Sequence, residues 1–375
     1  MNNSLIVMGG GIIGLSCALE LRRRGTVVTL LETGACGGQA SGAAAGMLAP
    51  YSENPEAPDE FFMLCRESLE LYPSWQRLVR GMSGMEFEYT ECGSLYAAYH
   101  EADLLALESR LDWQRQHGSS GAILRGAELR SMEPGLSSEV KAALWTPEES
   151  HIYAPDFVAA LREACLRSGV IIHDELGALE LAAWEPRVEV RSRGGEVFAA
   201  EQVLVCTGAW AGELSDRLGL RIPVQPIRGQ ICAYTWAEEQ TPLRHMVFGS
   251  QGYLVQKANG TLVCGASEDV AGFDTSVTER GIQRLLRWNK NMLPELGGKE
   301  PFHRWAGLRP ATLDGRPLIG RLERAERVLF AAGHYRNGIL LSPVTAKVAA
   351  DCVEGRPLPG WQQAFRPDRF GAIAR

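Results

Sequence analysis

Long apolar runs are missing from this chain, and none approaches the ~18 residues that a membrane-spanning helix needs. The stretch from Leu5 to Leu21 is the nearest imitation of a secretory leader. No positive charge precedes it, however, Glu20 interrupts it, and its arginines, Arg22, Arg23 and Arg24, come after the apolar part. A soluble, cytoplasmic protein is therefore the expectation. Excess positive charge is missing too: 38 Lys and Arg face 45 Asp and Glu, a formal net charge of −7. That balance argues against a broad nucleic-acid footprint and leaves room only for local basic pockets. The nine cysteines form no C-x-x-C pair and no Cys/His cluster at zinc spacing, so no metal site is expected. Most lie in apolar stretches such as VLVCTG and TLVCGA, where a reduced thiol behaves as a small hydrophobe, as a reducing compartment allows. Internal repeats and low-complexity tracts are also absent.

What is present is enough for a large core. At 375 residues, 45% hydrophobic and 22% charged, the chain exceeds the usual single-core size and predicts two domains. SLIVM reads as a buried strand, GGGIIGLSCALELRRRG as a turn and a helix ending at Gly25, and TVVTLLE as a second strand. That is one βαβ unit, the context in which a G-x-G-x-x-G match becomes informative. Gly9 permits the tight turn, Gly11 lets a pyrophosphate approach the backbone, and Gly14 lets helix and strand pack closely. Unpaired N–H groups at the helix start then face the phosphates. Glu32 closes the second strand, where a carboxylate can accept from both hydroxyls of an adenosine ribose. Thr33 and Gly34 follow it, with no arginine to receive a 2′-phosphate. The next stretch, GACGGQASGAAAGMLAP, is too small to build a core and lets backbone approach a ligand.

From residue 85 to 145 the pattern changes to alternating strands and an exposed helix, EADLLALESRLDWQRQHG. The βα character returns in YAPDFVAALREACLRSGVIIHDE, whose helix presents Phe157, Val158, Leu161, Cys165 and Leu166 as its apolar face, and in VLVC running into Thr207 and Gly208. Alternation resumes in ICAYTW, GYLVQ and TLVCGAS before the helix TERGIQRLLRWNKNMLP. RVLFAAGHYRNGILLSPVTAKVAADCVEG is again strand, glycine loop and helix, with Ser342 as its expected N-cap and Pro343 in its first turn. Three doubly wound pieces, 1–84, 146–223 and 302–375, thus alternate with two β-rich pieces, 85–145 and 224–301. A discontinuous cofactor domain carrying an inserted substrate domain is the expected organisation.

The stretches VMGGGIIGLSCALEL, SGAAAGMLAP, TGAW, GYLV, WAGLRPATLDGRPLIG and AAGHYRNGILLSP resemble the FAD-dependent amine oxidases of the D-amino-acid oxidase superfamily, the glycine oxidases of thiazole biosynthesis in particular. The resemblance covers almost the whole chain. It implies an α/β fold in which the cofactor domain is Rossmann-like, of the glutathione-reductase type, and the inserted domain is α+β on an antiparallel sheet. It implies non-covalent FAD: relatives with covalent flavin attach it through a cysteine near the segment matching WAGLRPATLDG, and no cysteine lies between Cys264 and Cys352. FAD contacts carried over by match are Ile12, Ile13, Glu32, Thr33, Ala40, Ser41, Ala45, Gly46, Met47 and Ala178. The loop His334, Tyr335, Arg336, Asn337, Gly338, Ile339 and Leu340 is carried over with them.

At the substrate end Arg309 matches the family's carboxylate-binding arginine, Tyr253 a tyrosine that contacts the same carboxylate, and Arg336 a second substrate-side position. The implied chemistry is transfer of the Cα hydride to flavin N5, release and hydrolysis of the imine, and reoxidation by O2 to hydrogen peroxide. No side chain is nominated as a catalytic acid or base, because the flavin carries the difficult step. Glycine, sarcosine and small D-amino acids are the implied substrates, and a homotetramer the implied assembly. A D-amino-acid or sarcosine oxidase, an amine dehydrogenase, and a flavin-binding subunit without its own turnover remain alternatives. Gln251 and Glu268 depart from the family near the pocket, and Glu268 reads either as a partner for a basic side chain or as a solvent-facing residue.

Overall fold

The computed structural model describes residues 4–54, 58–236 and 240–372. Its first βαβ unit falls where the glycines place it, with strands Ser4–Met8 and Val27–Leu31 joined by the helix Ile12–Arg23. These strands occupy a six-stranded sheet in the order Leu318–Leu322, Ala325–Ala332, Gln202–Val205, Ser4–Met8, Val27–Leu31, Ile171–His173. Every neighbouring pair is parallel except the first. Parallel strands need long crossovers, and their helices cover the sheet, so the central strands are apolar on both faces. One such layer contains the helices Ile12–Arg23, Ala154–Ser168 and Gly338–Glu354, with Glu60–Ser83 packed outside them.

Glu60–Ser83 is the longest helix among the described residues and carries Pro73 in its interior. A proline in a helix interior removes one ladder hydrogen bond and argues locally against a helix. Its ends are well marked nonetheless. Asp59 accepts from the Phe62 N–H at 2.9 Å, and Gly84 closes it with φ +66°. Within Ala154–Ser168, Leu166 departs from the expected apolar face: it is 40% exposed, because that position turns out of the packed stripe.

The second large sheet has eight strands, in the order His303–Thr312, Val224–Thr235, Thr261–Gly265, Gly252–Gln256, Met246–Gly249, Ser94–Ala98, Ala142–Thr146, Ala122–Arg125. It is antiparallel apart from the pair Met246–Gly249 and Ser94–Ala98. The helix Glu279–Met292 buries Ile282, Leu285, Trp288 and Met292 against it. His303–Thr312 lies within the piece 302–375, yet it is hydrogen-bonded along its length to Val224–Thr235. The crossing between the two sheets therefore follows Thr312 rather than Pro301. Two three-stranded sheets complete the fold, Leu179–Ala183 with Val188–Ser192 and Val197–Ala200, and Met47–Leu48 with Ser150–Ile152 and Tyr89–Thr90. All nine cysteines are free, and among the described residues no helix is long and apolar enough to cross a membrane.

Candidate functional site

One cavity of about 700 Å³ lies where the two large sheets meet, lined by the first βαβ unit, the segment after it, the large antiparallel sheet and the late loop. At its glycine turn, a side chain on Gly9 would meet the Cys206 carbonyl at 2.4 Å, and one on Gly14 the Gly9 carbonyl at 1.9 Å. The first glycine thus lets neighbouring strands close up at the turn, and Gly14, outside the cavity wall, seats the helix on it. Gly11 lines the cavity as the residue before the helix, with Ile12 and Ile13 behind it. The first intrahelical bond is Leu15 N–H to Gly11, so earlier N–H groups have no partner within the helix. Ser41 takes the Ile12 N–H at 2.9 Å.

Glu32 is buried at the end of its strand. One carboxylate oxygen accepts from the Gly10 N–H at 2.6 Å, the other from the Thr33 hydroxyl at 2.9 Å and the Gly34 N–H at 3.0 Å. These bonds fix the carboxylate against the glycine turn, and an ionised carboxylate has further lone pairs for a ribose. Thr33 and Ala178 line the same part, as do Ala40, Ser41, Ala45, Gly46 and Met47 from the small-residue segment. That segment forms the short helix Ala40–Ala43 and is fastened to the large sheet, since Trp305 donates its ring N–H to the Ala43 carbonyl at 3.0 Å. Gly46 has φ +77°, and a side chain there would stand 1.9 Å from the Ile152 carbonyl. Thr207 and Gly208 contribute from the end of the strand Gln202–Val205. The Thr207 hydroxyl is buried without a hydrogen-bond partner among the described residues.

The late loop meets the cavity through His334, Tyr335, Arg336, Gly338 and Ile339, while Asn337 and Leu340 are not on its wall. The helix behind it begins at Gly338, so Ser342 and Pro343 are interior residues and not cap and first turn. The earlier start brings the unpaired N–H groups of Gly338 and Ile339 to the wall. Pro343 removes one ladder bond, and the structure replaces it. Its missing N–H would have served the Ile339 carbonyl, which instead accepts from the Tyr72 hydroxyl at 2.6 Å. Ser68 donates to Leu340 at 2.6 Å in the same turn. His334 is buried and bonded to Thr345 at 3.0 Å, and burial lowers its pKa to about 3, so the ring is neutral.

The residues expected at the substrate end lie on the late loop and on two strands of the large antiparallel sheet, His303–Thr312 and Gly252–Gln256, which are separated by Val224–Thr235 and Thr261–Gly265. Arg309 crosses Gly229, where a side chain would collide with the guanidinium at 2.3–2.5 Å, and it donates to the Ser267 carbonyl at 2.9 Å. Tyr253 lies over Gly265 in the same manner, with its hydroxyl 2.3 Å from where a side chain would start. Gly229 and Gly265 thus form a flat floor under the two polar groups. Burial raises the Tyr253 pKa to about 12, with Arg309 pulling the other way, so the phenol stays protonated and can donate. Of the arginines on the wall, Arg217 pairs with Glu180 at 3.0 Å, and Arg336 pairs with Glu53 and Glu268 at 3.3 Å each. Arg309 has no carboxylate partner among the described residues. Glu53 was not foreseen from the sequence; its partner lies 283 positions away, and no local motif marks it. Glu268 is not on the wall but grips Arg336 and Tyr335 from outside it, and Gln251 is an exposed turn residue between strands.

This is a dinucleotide cradle joined to a site that offers one uncompensated guanidinium. Residues 4–352 match the family model described as FAD dependent oxidoreductase, DAO. The chain belongs to that family of FAD-dependent oxidoreductases, and its cofactor is FAD. Among its relatives, glycine oxidase of Bacillus licheniformis is 32% identical, over 99% of this chain and 98% of that protein. The bifunctional protein ThiO/ThiG of Trichormus variabilis is 34% identical over 99% of this chain, which spans 55% of that longer protein. The crystal structure of glycine oxidase from Geobacillus kaustophilus superposes with a TM-score of 0.91 at 31% identity, covering 97% of this chain and 98% of that one. The residues present fit the cofactor: a glycine turn into which a side chain would intrude, a carboxylate at the strand end, an unpartnered Thr207 hydroxyl, and two helix starts on one wall.

Proposed function

We propose that the protein is an FAD-dependent amine oxidase that oxidatively deaminates glycine and other small amines, sarcosine and small D-amino acids among them. The observation that carries this reading is Arg309, the one wall arginine without a carboxylate partner among the described residues, facing the cavity beside the protonated Tyr253. A planar guanidinium binds a carboxylate through two parallel donors, and the phenol adds a third. The amino acid is thereby held by its acid group at one end, which aims its Cα and amine into the cavity. FAD, when bound, supplies the two-electron acceptor, with O2 as the terminal oxidant and hydrogen peroxide as the reduced product. Gly9, Gly11, Ile12, Ile13, Glu32, Thr33, Ala40, Ser41, Ala45, Gly46, Met47, Ala178, Thr207, Gly208 and the late loop would hold it. The N–H groups of Gly338 and Ile339, at the positive end of a helix, would stabilise negative charge there. Neutral His334 holds the loop through Thr345 and carries no charge to the site. A cytoplasmic homo-oligomer that supplies imine to thiazole synthesis completes the proposal, by likeness to the relatives.

Incubating the FAD-loaded protein in air with a panel of amino acids, and measuring peroxide, tests this reading. Glycine and sarcosine should give peroxide, and basic or bulky L-amino acids should not. Flavin reduction without peroxide would make the protein a dehydrogenase.

A further inference from the structure

Arg336 is held on two sides by carboxylates that come from distant parts of the chain. Its Nη2 faces Glu53 at 3.3 Å and its Nη1 faces Glu268 at 3.3 Å, while the Tyr335 hydroxyl donates to the same Glu268 oxygen at 2.8 Å. Glu53 is inside the wall, its side chain only 8% exposed, and Glu268 is outside it at 48%. The segment that carries Glu268 also fixes the other arginine, because the Ser267 carbonyl accepts from Arg309. Adjacent residues therefore hold the two guanidinium groups of the substrate end in different states: Arg309 keeps its charge available, and Arg336 has its charge compensated twice over.

We propose that Glu268 is a specificity-determining residue, a latch that occupies Arg336 and Tyr335 and so restricts the site to amines bearing a single carboxylate. This inference rests on the reading that Arg309 anchors the substrate's acid group. With Arg309 and Arg336 opposed by Glu53 and Glu268, the four side chains sum to no net charge. One substrate carboxylate has Arg309 to itself. A second carboxylate on the same molecule would meet an arginine already committed and two like charges beside it, so dicarboxylic amines are turned away. A neutral distal group meets no such penalty. Removing the Glu268 charge leaves Arg336 with one carboxylate partner and an unoccupied pair of donors, which converts the latch into a second anion site.

The test is a titration of the FAD-loaded protein, following perturbation of its visible spectrum by acetate, with one carboxylate, and by malonate, with two. In Glu268→Gln the affinity for malonate relative to acetate should rise about tenfold over wild type. Glu268→Ala should do at least as much, and Glu268→Asp should stay near wild type. Turnover provides a parallel readout, with the KM for iminodiacetate falling relative to that for glycine in Glu268→Gln. A malonate-to-acetate ratio unchanged in Glu268→Gln and Glu268→Ala, with acetate binding still weakened by Arg309→Met, would overturn the latch and leave the anchor standing. Acetate binding that is indifferent to Arg309→Met would overturn the anchor, and the latch with it.

Discussion

Arg309 can lie flat only because position 229 has no side chain, and this gives the substrate end an unusual sensitivity to a single methyl group. In Gly229→Ala the new atom would collide with the flexible end of the Arg309 side chain. The arginine can swing aside at little cost in stability, but it then misses the carboxylate. The expected outcome is a KM for glycine raised about tenfold or more with an almost unchanged melting temperature. Arg309→Met should raise KM further, by roughly 10–150-fold, the worth of a charge-assisted pair, while FAD remains bound at one per chain. Steady-state kinetics beside flavin absorbance check both. That Arg309 and Tyr253 line one cavity could be expected because each sits in a stretch that resembles the family. Glu53 could not be expected there, since a lone glutamate acquires meaning only when folding brings Arg336 to it.

Among the elements, the helix Gly338–Glu354 ties cofactor to core most directly. Its first turn borders the cavity, and its interior Pro343 is tolerated because Tyr72 and Ser68 of the helix Glu60–Ser83 supply hydrogen bonds to Ile339 and Leu340. Tyr72→Phe should leave a buried carbonyl unpaired and destabilise the protein by about 1–3 kcal/mol in urea unfolding. In a Pro343→Ala background the loss should be smaller, because alanine restores an N–H to the same carbonyl. Equal losses in both backgrounds would refute this account of the proline. The parallel strands were readable from their apolar runs, and the βαβ unit from its glycines. Ser342 and Pro343 misled because Ser-Pro is what a helix start looks like locally, and only the partner helix reveals that the pair is interior. The partner helix Glu60–Ser83 likewise carries an interior proline, Pro73.

On the scale of the whole molecule, the segment carrying Glu53 is fastened to the elements around the large antiparallel sheet. Glu149, fully buried, accepts from the Tyr51 N–H at 2.7 Å, the Ser52 N–H at 2.8 Å and the Ser94 hydroxyl. Arg110, stacked 4.2 Å from the Tyr96 ring, donates to the Tyr51 and Ser52 carbonyls. Burial raises the Glu149 pKa from 4.5 to about 7, with the hydrogen bonds opposing it. Between those values the folded state binds more protons than the unfolded one, so this group makes stability fall as pH rises from about 4.5 and level off above 7. Relative to Glu149→Gln, the wild type should lose about 2–3 kcal/mol between pH 5 and pH 8. Parallel pH profiles for the two proteins would show that Glu149 does not titrate in this way. The sequence did not place the edge strand His303–Thr312 in the large antiparallel sheet. Which sheet a strand joins depends on its partner, here Val224–Thr235, and not on its own pattern.

Anaerobic addition of glycine to the purified protein decides whether a resident FAD faces an arginine that holds an amino acid by its carboxylate. We expect a yellow protein with one FAD per chain, whose flavin absorbance bleaches on glycine and returns with peroxide when air is admitted. A protein that stays colourless after incubation with FAD, or a bound flavin that no small amine reduces, would contradict it.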